Sequence, residues 1–147
     1  MLKKYEFTNE TKKVKDSLGN LHTLHRIKAL KDFGNVNKGD LGGWLEKESN
    51  LSQGDYCWVY NGAQVYGNAQ VLDSAQVLDS AQVYGNARVY GNAGVSGNAQ
   101  VYGNAQVYGF AGVYDNVQVY GNAQVYDEAW VSGNSVVCGD TEVLGVI

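Results

Sequence analysis

Residues 99–109 read AQVYGNAQVYG, and close copies of this stretch fill residues 63–126. A period of six fits neither the turn of an α-helix, roughly 3.6 residues, nor an unbroken strand, but it fits a short strand followed by a sharp corner. Ala and Val point to one side of that strand, while Gln and Tyr point to the other. Gly-Asn forms the corner, as does Asp-Ser at positions 73–74 and 79–80, because these residues accept a positive φ or bond their own backbone. Each hexad is therefore predicted to form one side of a coil.

Valine keeps this period without a slip, because it stands at every sixth position from Val59 to Val143. A small residue, usually alanine, precedes most of these valines by two positions. Three hexads close a triangular coil of about 18 residues, and stacked coils pair their backbones about 4.8 Å apart while the valines fill the axis. The pattern predicts a β-solenoid in which only outward side chains are available for function.

This unit of a small residue, an aliphatic residue and a corner resembles that of the hexapeptide-repeat family of left-handed parallel β-helices, over residues 57–146. The resemblance implies a single-stranded, left-handed β-helix. The stretches LHRIKALKDFG at 24–34 and GDLGGWLEKESNLS at 39–52 also resemble the N-terminal part of uncharacterised hexapeptide-repeat proteins of phages and enteric bacteria. This second resemblance implies a protein encoded by a phage or prophage.

The frame of the repeats extends backwards beyond the first valine. Leu41 lies one coil before Val59, with Gly39 in the small-residue position. In the next two hexads Leu45 and Leu51 are expected to supply the apolar filling, because polar residues occupy the valine positions. About six 18-residue coils are thus predicted over residues 39–147.

The two ends of the chain look different. Residues 1–38 are predicted to form a small N-terminal β-hairpin cap, because an open solenoid end would otherwise pair with other chains. KYEFT and LHTLHRIKAL in this segment are strand-like, and DSLGN between them is a turn signal. At the other end, TEVLGVI finishes apolar, so it either packs on a neighbouring subunit or forms a short frayed terminus.

Composition and charge exclude several classes of function. No apolar run approaches the roughly 18 residues of a membrane span, and the start lacks the apolar stretch of a signal peptide, so a cytoplasmic protein is expected. Residues 1–50 carry ten Lys or Arg against seven Asp or Glu, whereas residues 51–147 carry one Arg against eight acids. An acidic repeat region disfavours binding of nucleic acid. The two cysteines match no metal or redox spacing.

Because three hexads form one coil, every third hexad lies on the same side of the solenoid, which therefore has three outer faces. The tyrosine face follows Val65 at intervals of 18 and carries a ladder of stacked tyrosines beside glutamines: Tyr66, Tyr84, Tyr102 and Tyr120. The mixed face follows Val71 and carries Leu, Tyr, Gln and Arg88. Such ladders stabilise any parallel stack, so the tyrosines are either structural or a secondary binding surface.

The third face, which follows Val59 at intervals of 18 and is termed here the interrupted face, breaks the pattern. A bare patch beside exposed aromatic residues is typical of a surface that receives a partner. The residues predicted to form a protein-binding or oligomer surface are Trp58, Gly94, Ser96, Phe110, Gly112, Tyr114, Trp130 and Ser132. In the alternative interpretation, Trp130 folds over Gly112 and fills the patch itself.

The family resemblance also implies an acyltransferase, which in that family uses a histidine base near a subunit boundary of a trimer. This chain has only His22 and His25, both upstream of every coil, and the valine frame leaves no room for donor-binding loops. No catalytic residue, metal site or cofactor is therefore predicted.

We expect a non-enzymatic β-solenoid that binds a protein partner or assembles with itself as a dimer or trimer, and that engages or inhibits a host protein. The alternatives are a trimeric acyltransferase-like enzyme and an end-to-end polymer.

Overall fold

The computed structural model describes residues 3–16 and 18–145. In this part of the chain the only helical segment is a 3₁₀ turn at Glu48–Asn50, and all other regular structure is β. Strands β1 (Tyr5–Lys15) and β2 (Leu21–Ala29) pair antiparallel, and β3 (Leu41–Leu45) follows them. The predicted N-terminal hairpin is therefore confirmed.

Fifteen two-residue strands follow, each made of a valine and the residue before it. As β4 to β18 they are Trp58–Val59, Gln64–Val65, Gln70–Val71, Gln76–Val77, Gln82–Val83, Arg88–Val89, Gly94–Val95, Gln100–Val101, Gln106–Val107, Gly112–Val113, Gln118–Val119, Gln124–Val125, Trp130–Val131, Val136–Val137 and Glu142–Val143. They pair in parallel with strands 18 residues away, as Val95 does with Val113. The predicted length of the coil is confirmed.

The strands stack into three parallel sheets, one on each side of a triangle. The tyrosine face contains β5, β8, β11, β14 and β17, the mixed face β6, β9, β12, β15 and β18, and the interrupted face β4, β7, β10, β13 and β16. Fifteen strands on three faces make five complete coils, which β3 and Leu51 precede as an incomplete coil. The chain is an all-β solenoid of about six coils, as predicted. Its left-handed winding stays a prediction.

The valines of the six-residue period, from Val59 to Val143, fill the axis of the solenoid and are all buried. The alanines that precede them by two positions are buried beside them. Valine suits this place because its stiff, branched side chain packs well on a pleated surface. Burial of each valine removes apolar surface from water and is worth on the order of 2 kcal/mol.

The first coil departs from the predicted frame. Leu45 pairs with Val65, and Leu51 forms a bridge to Val71, so the offset there is 20 residues rather than 18. Both leucines are buried, which confirms that they supply the apolar filling. Val59 follows Leu51 by eight positions, whereas each later valine of the period follows the one before it by six. Two extra residues in the loop between them account for the shift.

The same shift overturns the prediction for Leu41 and Gly39. Leu41 is exposed and pairs with Lys28 of β2 instead of entering the valine column. Gly39 lies in an exposed turn with φ +95°. The prediction was wrong because counting back from Val59 ignored the extra residues, which lie in a segment without valines to mark the frame.

The lengthened loop anchors the start of the chain. The side-chain oxygen of Gln53 accepts hydrogen bonds from the backbone N–H groups of Lys4 and Tyr5, at 2.7 and 3.2 Å. The Lys4 ammonium is buried and donates to the carbonyls of Gly54 and Cys57, at 2.9 and 2.7 Å. Burial lowers the pKa of Lys4. Lys4 thus closes the N-terminal end of the solenoid with its polar groups satisfied.

The hairpin folds over the tyrosine face rather than only covering the solenoid end. β2 pairs antiparallel with β3, and β3 pairs in parallel with β5, so the hairpin extends the sheet of the tyrosine face. Leu24 of β2 packs against Tyr66 and Tyr84 in a small apolar cluster separate from the main core.

At the C-terminal end of the solenoid, the N–H of Trp130 donates to the carbonyl of Gly145. The last two residues of the apolar end, for which subunit packing was one prediction, lie outside the described residues.

Candidate functional site

Gly94 and Gly112 are paired neighbours on strands β10 and β13 of the interrupted face. A Cβ on Gly94 would approach only the carbonyl oxygen of Gln76, at 4.0 Å, so the surface there is open. A Cβ on Gly112 would collide with the ring and hydroxyl of Tyr114. The bare patch is therefore half the predicted size, because Tyr114 covers its second glycine.

Trp130 is an exposed side chain next to this covered glycine. Its side chain is 55% exposed, and its ring centroid lies 5.4 Å from that of Tyr114 with the planes tilted by 60°. Phe110, at the neighbouring corner, is 67% exposed. The atoms nearest above Gly112 belong to Tyr114, so Tyr114 fills the gap that the alternative interpretation assigned to Trp130.

Two adjoining depressions lie on this face. The first, of about 600 Å³, is lined by Asp79, Ser96, Gly97, Tyr114, Asp115, Trp130 and Ser132. The second, of about 460 Å³, is lined by Tyr56, Ser74, Gln76, Leu78, Asn92, Ala93, Gly94, Ser96, Phe110, Ala111 and Tyr114. They share Ser96 and Tyr114, so together they form one elongated depression, termed here the groove. Most of the residues predicted for the binding surface lie in it.

The groove carries negative charge. Asp79 and Asp115 line the first depression, and among the residues that the structure describes no Lys, Arg or His lines either depression. One carboxylate oxygen of Asp79 accepts the N–H of Gly97 at 3.0 Å, and one of Asp115 accepts the N–H of Gly133 at 2.8 Å. Each carboxylate is thus fixed by the next coil. Dealing the hexads into faces already placed both residues at corners of the interrupted face, but the sequence reasoning overlooked them.

Trp58 does not belong to this surface, although the sequence placed it there. It is only 1% exposed, because Tyr5 and Phe33 of the N-terminal region pack edge-on against its ring. Periodicity alone shows Trp58 pointing outward, and what covers it comes from a segment without the repeat. Tyr56 lines the groove in its neighbourhood, in the lengthened loop where the repeat frame gave no prediction.

The secondary surface predicted on the tyrosine face is also reduced. Tyr66 and Tyr84 are buried beneath Leu24 of the hairpin, so they are not available to a partner. Tyr102 and Tyr120, farther from the hairpin, are half-buried. The four rings stack with centroids 4.9 to 5.0 Å apart.

Hydrogen bonds tie this tyrosine ladder to the glutamines. The Tyr84 hydroxyl donates to the side chain of Gln100 on the next coil at 3.1 Å, and Tyr102 repeats the contact with Gln118 at 3.2 Å. Tyr90 and Tyr108 on the mixed face do the same. These contacts support the structural interpretation of the ladders.

The two histidines are engaged in contacts within the N-terminal region. His22 holds the side chain of Asp16 at one ring nitrogen and that of Glu46 at the other, at 2.8 and 2.9 Å. Burial alone would lower the pKa of His22, but the hydrogen bonds and charges of Asp16 and Glu46 raise it above its ordinary value. His25 stacks on Phe7 with centroids 4.8 Å apart. With both ring nitrogens of His22 occupied by carboxylates, neither is free to accept a proton from a substrate.

Residues 3–16 and 18–145 contain no group of three His, Cys, Asp or Glu side chains placed to hold a metal ion. They also contain no helix long and apolar enough to cross a membrane.

Comparison with known proteins finds a match within the repeat region. A family model described as "YdcK Beta solenoid repeat" matches residues 63–79, 81–97 and 123–139. Those segments lie within the coils, so the resemblance to hexapeptide-repeat solenoids is confirmed for the repeat region.

One relative shares part of the sequence. It is the "Uncharacterized acetyltransferase YdcK" of Escherichia coli (strain K12), 42% identical over 38 residues. The matched stretch makes up 26% of this chain and 12% of that protein. The similarity therefore covers only a small part of the relative's length.

Proposed function

We propose that this solenoid is a protein-binding module whose partner occupies the groove on the interrupted face. The observation that carries the proposal is the junction of the two depressions at Ser96 and Tyr114, flanked by the exposed rings of Phe110 and Trp130. Exposed aromatic residues around a concave surface are the usual anchors of protein interfaces.

The rest of the molecule supports this use of one face. Backbone hydrogen bonds run from coil to coil along the groove, as from Gly94 to Ala111 and from Gly112 to Ala129, both near 3.0 Å. The floor of the groove is therefore rigid, so a partner loses little free energy in ordering it. On the other two faces, hydrogen bonds between coils already engage the ladder side chains, as from Tyr84 to Gln100 and from Tyr90 to Gln106.

Capture of a partner from a bacterial lysate, compared between the parent and two variants, tests the proposal. Trp130→Ala removes an exposed anchor without opening the core. Gly94→Arg fills the open half of the patch, and Arg88 shows that an arginine is tolerated at the same position of a hexad. We expect both variants to fold and to lose the captured protein.

Matched controls keep the test specific to the groove. Leu144→Ala removes an exposed apolar side chain from the mixed face, and Gln70→Arg adds an arginine before a valine of that face. Both should capture the partner as the parent does. If the groove variants and the controls bind equally well, the interrupted face is not the binding surface.

A second candidate, an acyltransferase, is favoured by one observation, the similarity to a protein whose name includes acetyltransferase. The carboxylates at both nitrogens of His22 count against that histidine as the general base. A thermal shift with millimolar acetyl-coenzyme A that His22→Ala abolishes would support the enzyme. Absence of any shift would count against it.

A further inference from the structure

We infer that the groove receives an extended segment of the partner that carries a Lys or Arg, with the cationic side chain seated at Tyr114 and Trp130 beside Asp115. This inference rests on the proposed function and specifies the chemistry of the partner. The two rings and the carboxylate line the same depression.

The aromatic rings of the first depression favour a cationic side chain. The rings of Tyr114 and Trp130 lie on successive coils with centroids 5.4 Å apart and planes tilted by 60°. An ammonium or guanidinium group within about 6 Å of such ring centroids is attracted by the ring quadrupoles, and Trp gives the strongest effect. Trp130 is more than half exposed, so its ring is accessible to such a group.

The negative charge of the groove also favours a cationic segment. Asp79 and Asp115 are the charged side chains of the first depression, and residues 51–147 contain a single basic residue, Arg88, against eight acids. Arg88 belongs to the mixed face, so it does not neutralise the groove. A cationic partner thus finds no internal competitor here, whereas an acidic one is repelled.

The shape of the groove suits an extended segment. It runs along the solenoid across strands β7, β10, β13 and β16, and coils of this kind are about 4.8 Å apart. Three such steps span about 14 Å, which corresponds to four or five residues of an extended chain at roughly 3.3 Å each. The second depression adds apolar lining from Leu78, Ala93, Phe110 and Ala111.

These three features together predict a sequence pattern in the partner. An apolar side chain enters the second depression next to Phe110, while the basic side chain enters the first. Phe110 and Tyr114 lie before and after β13 on the same coil, and Trp130 lies one coil further on, so the two places are side by side across the face. An extended partner that crosses the face should therefore carry the two side chains about three or four positions apart. A folded loop, a helix or an acidic segment does not fit this arrangement as well.

Selection from a display library of random decapeptides tests the inference with a defined probe. Applied to the parent protein, it should enrich peptides with one Lys or Arg and an apolar residue about three or four positions away. An enriched peptide should then bind about tenfold or more weakly to Trp130→Ala in a fluorescence anisotropy titration. Its affinity should also fall as salt rises from about 50 to about 500 mM.

A charge-matched pair of variants isolates the carboxylate. Asp115→Asn keeps an oxygen for the N–H of Gly133 and tolerates the positive φ of 55°, but it removes one negative charge from the groove. Asp140→Asn removes the same charge at a corner outside both depressions. We expect the first variant to weaken peptide binding several-fold and the second to leave it unchanged.

The outcomes separate this inference from the proposed function. If enriched peptides lack a basic residue, or bind Trp130→Ala as tightly as the parent, the inference is overturned, even where a lysate protein still depends on Trp130. If no capture of any kind depends on Trp130 or Gly94, the proposed function fails as well. A dimer of this chain that Trp130→Ala dissolves would identify a second copy as the occupant and would also overturn the inference.

Discussion

At the scale of single residues, the first corner position of each hexad decides how closely the coils stack. In the hexads of Val65 to Val137 it is occupied by glycine or by aspartate at positive φ, including Asp73, Asp79, Asp115 and Asp127 at 55° to 60°. Aspartate is accepted because its carboxylate bonds the backbone N–H of the next coil, as from Asp73 to Gly91 at 3.0 Å. The sequence predicted these corners correctly, since Gly and Asp are the residues that such a conformation favours.

Gly121 and Gly139 occupy this corner on successive coils and form a matched pair. Their φ angles are +69° and +64°, but a Cβ on Gly121 would lie 2.7 Å from the nitrogen of Gly139, whereas a Cβ on Gly139 would contact nothing within 4 Å. Gly139→Ala should lower the free energy of unfolding by about 1–2 kcal/mol through φ strain alone, and Gly121→Ala by about 2–4 kcal/mol. Equal losses in urea denaturation would show that coil spacing imposes no extra constraint.

Asn50 shows how a single buried amide holds the incomplete first coil. Its oxygen accepts the N–H groups of Glu46 and Lys47, and its nitrogen donates to the carbonyls of Gly67 and Ala69. Asn50→Ala leaves several of these buried groups unpaired, so it should lower the free energy of unfolding by about 2–4 kcal/mol.

An exposed corner asparagine provides the control for that measurement. Asn98→Ala removes only an exposed contact to Asn116 at 3.4 Å, so its effect should stay within about 0.5 kcal/mol. If thermal or urea unfolding shifts equally for both variants, the network around Asn50 contributes nothing special to stability.

At the scale of elements, the coils could be predicted from the sequence and the docking of the hairpin could not. The valine period fixed the positions of β4 to β18, because a six-residue repeat has one way to bury its small and branched side chains. The hairpin lacks a repeat, so nothing in its sequence indicated that Leu24 would cover Tyr66 and Tyr84. The same holds for Trp58, which Tyr5 and Phe33 bury from outside the repeat.

His22 links this hairpin to the first coil and makes its docking depend on pH. Asp16 and Glu46 flank the imidazole, and the ring of Tyr66 lies 4.9 Å from it. Because the pKa of His22 is raised in the folded state, its stabilising contribution is complete below the ordinary value of 6.5. That contribution is lost as the pH rises through the raised value. The hairpin should therefore open more often under alkaline conditions.

Hydrogen exchange of the β2 backbone amides, corrected for intrinsic rates, measures this opening at about pH 6 and about pH 9. The parent should lose protection at the higher pH, and His22→Gln should show low protection at both. His25→Gln serves as the control, since His25 stacks on Phe7 and has no carboxylate partner among the described residues. This variant should behave as the parent does. A parent whose protection does not change with pH would contradict the role given to His22.

At the scale of the whole molecule, the coils are nearly interchangeable in their interior and distinct on their exterior. Each hexad contributes valine and a small residue to the axis, so its three possible faces are equivalent for folding. The groove depends instead on which hexads lie above one another, as Gly112 lies below Trp130. Site and stability are therefore separable, and whole hexads can be removed to test this.

Deletion of residues 117–122 and deletion of residues 135–140 each remove one hexad, VQVYGN or SVVCGD, from the tyrosine face. The first deletion moves Trp130 to another face and brings Val136 over Gly112, whereas the second keeps all the groove residues from Tyr56 to Ser132 stacked together. Both should fold with a β-type circular dichroism spectrum and a melting temperature lowered by similar amounts. Only the first should lose the partner captured by the parent. If both deletions abolish capture, or if the first alone unfolds, the separation of site from stability is wrong.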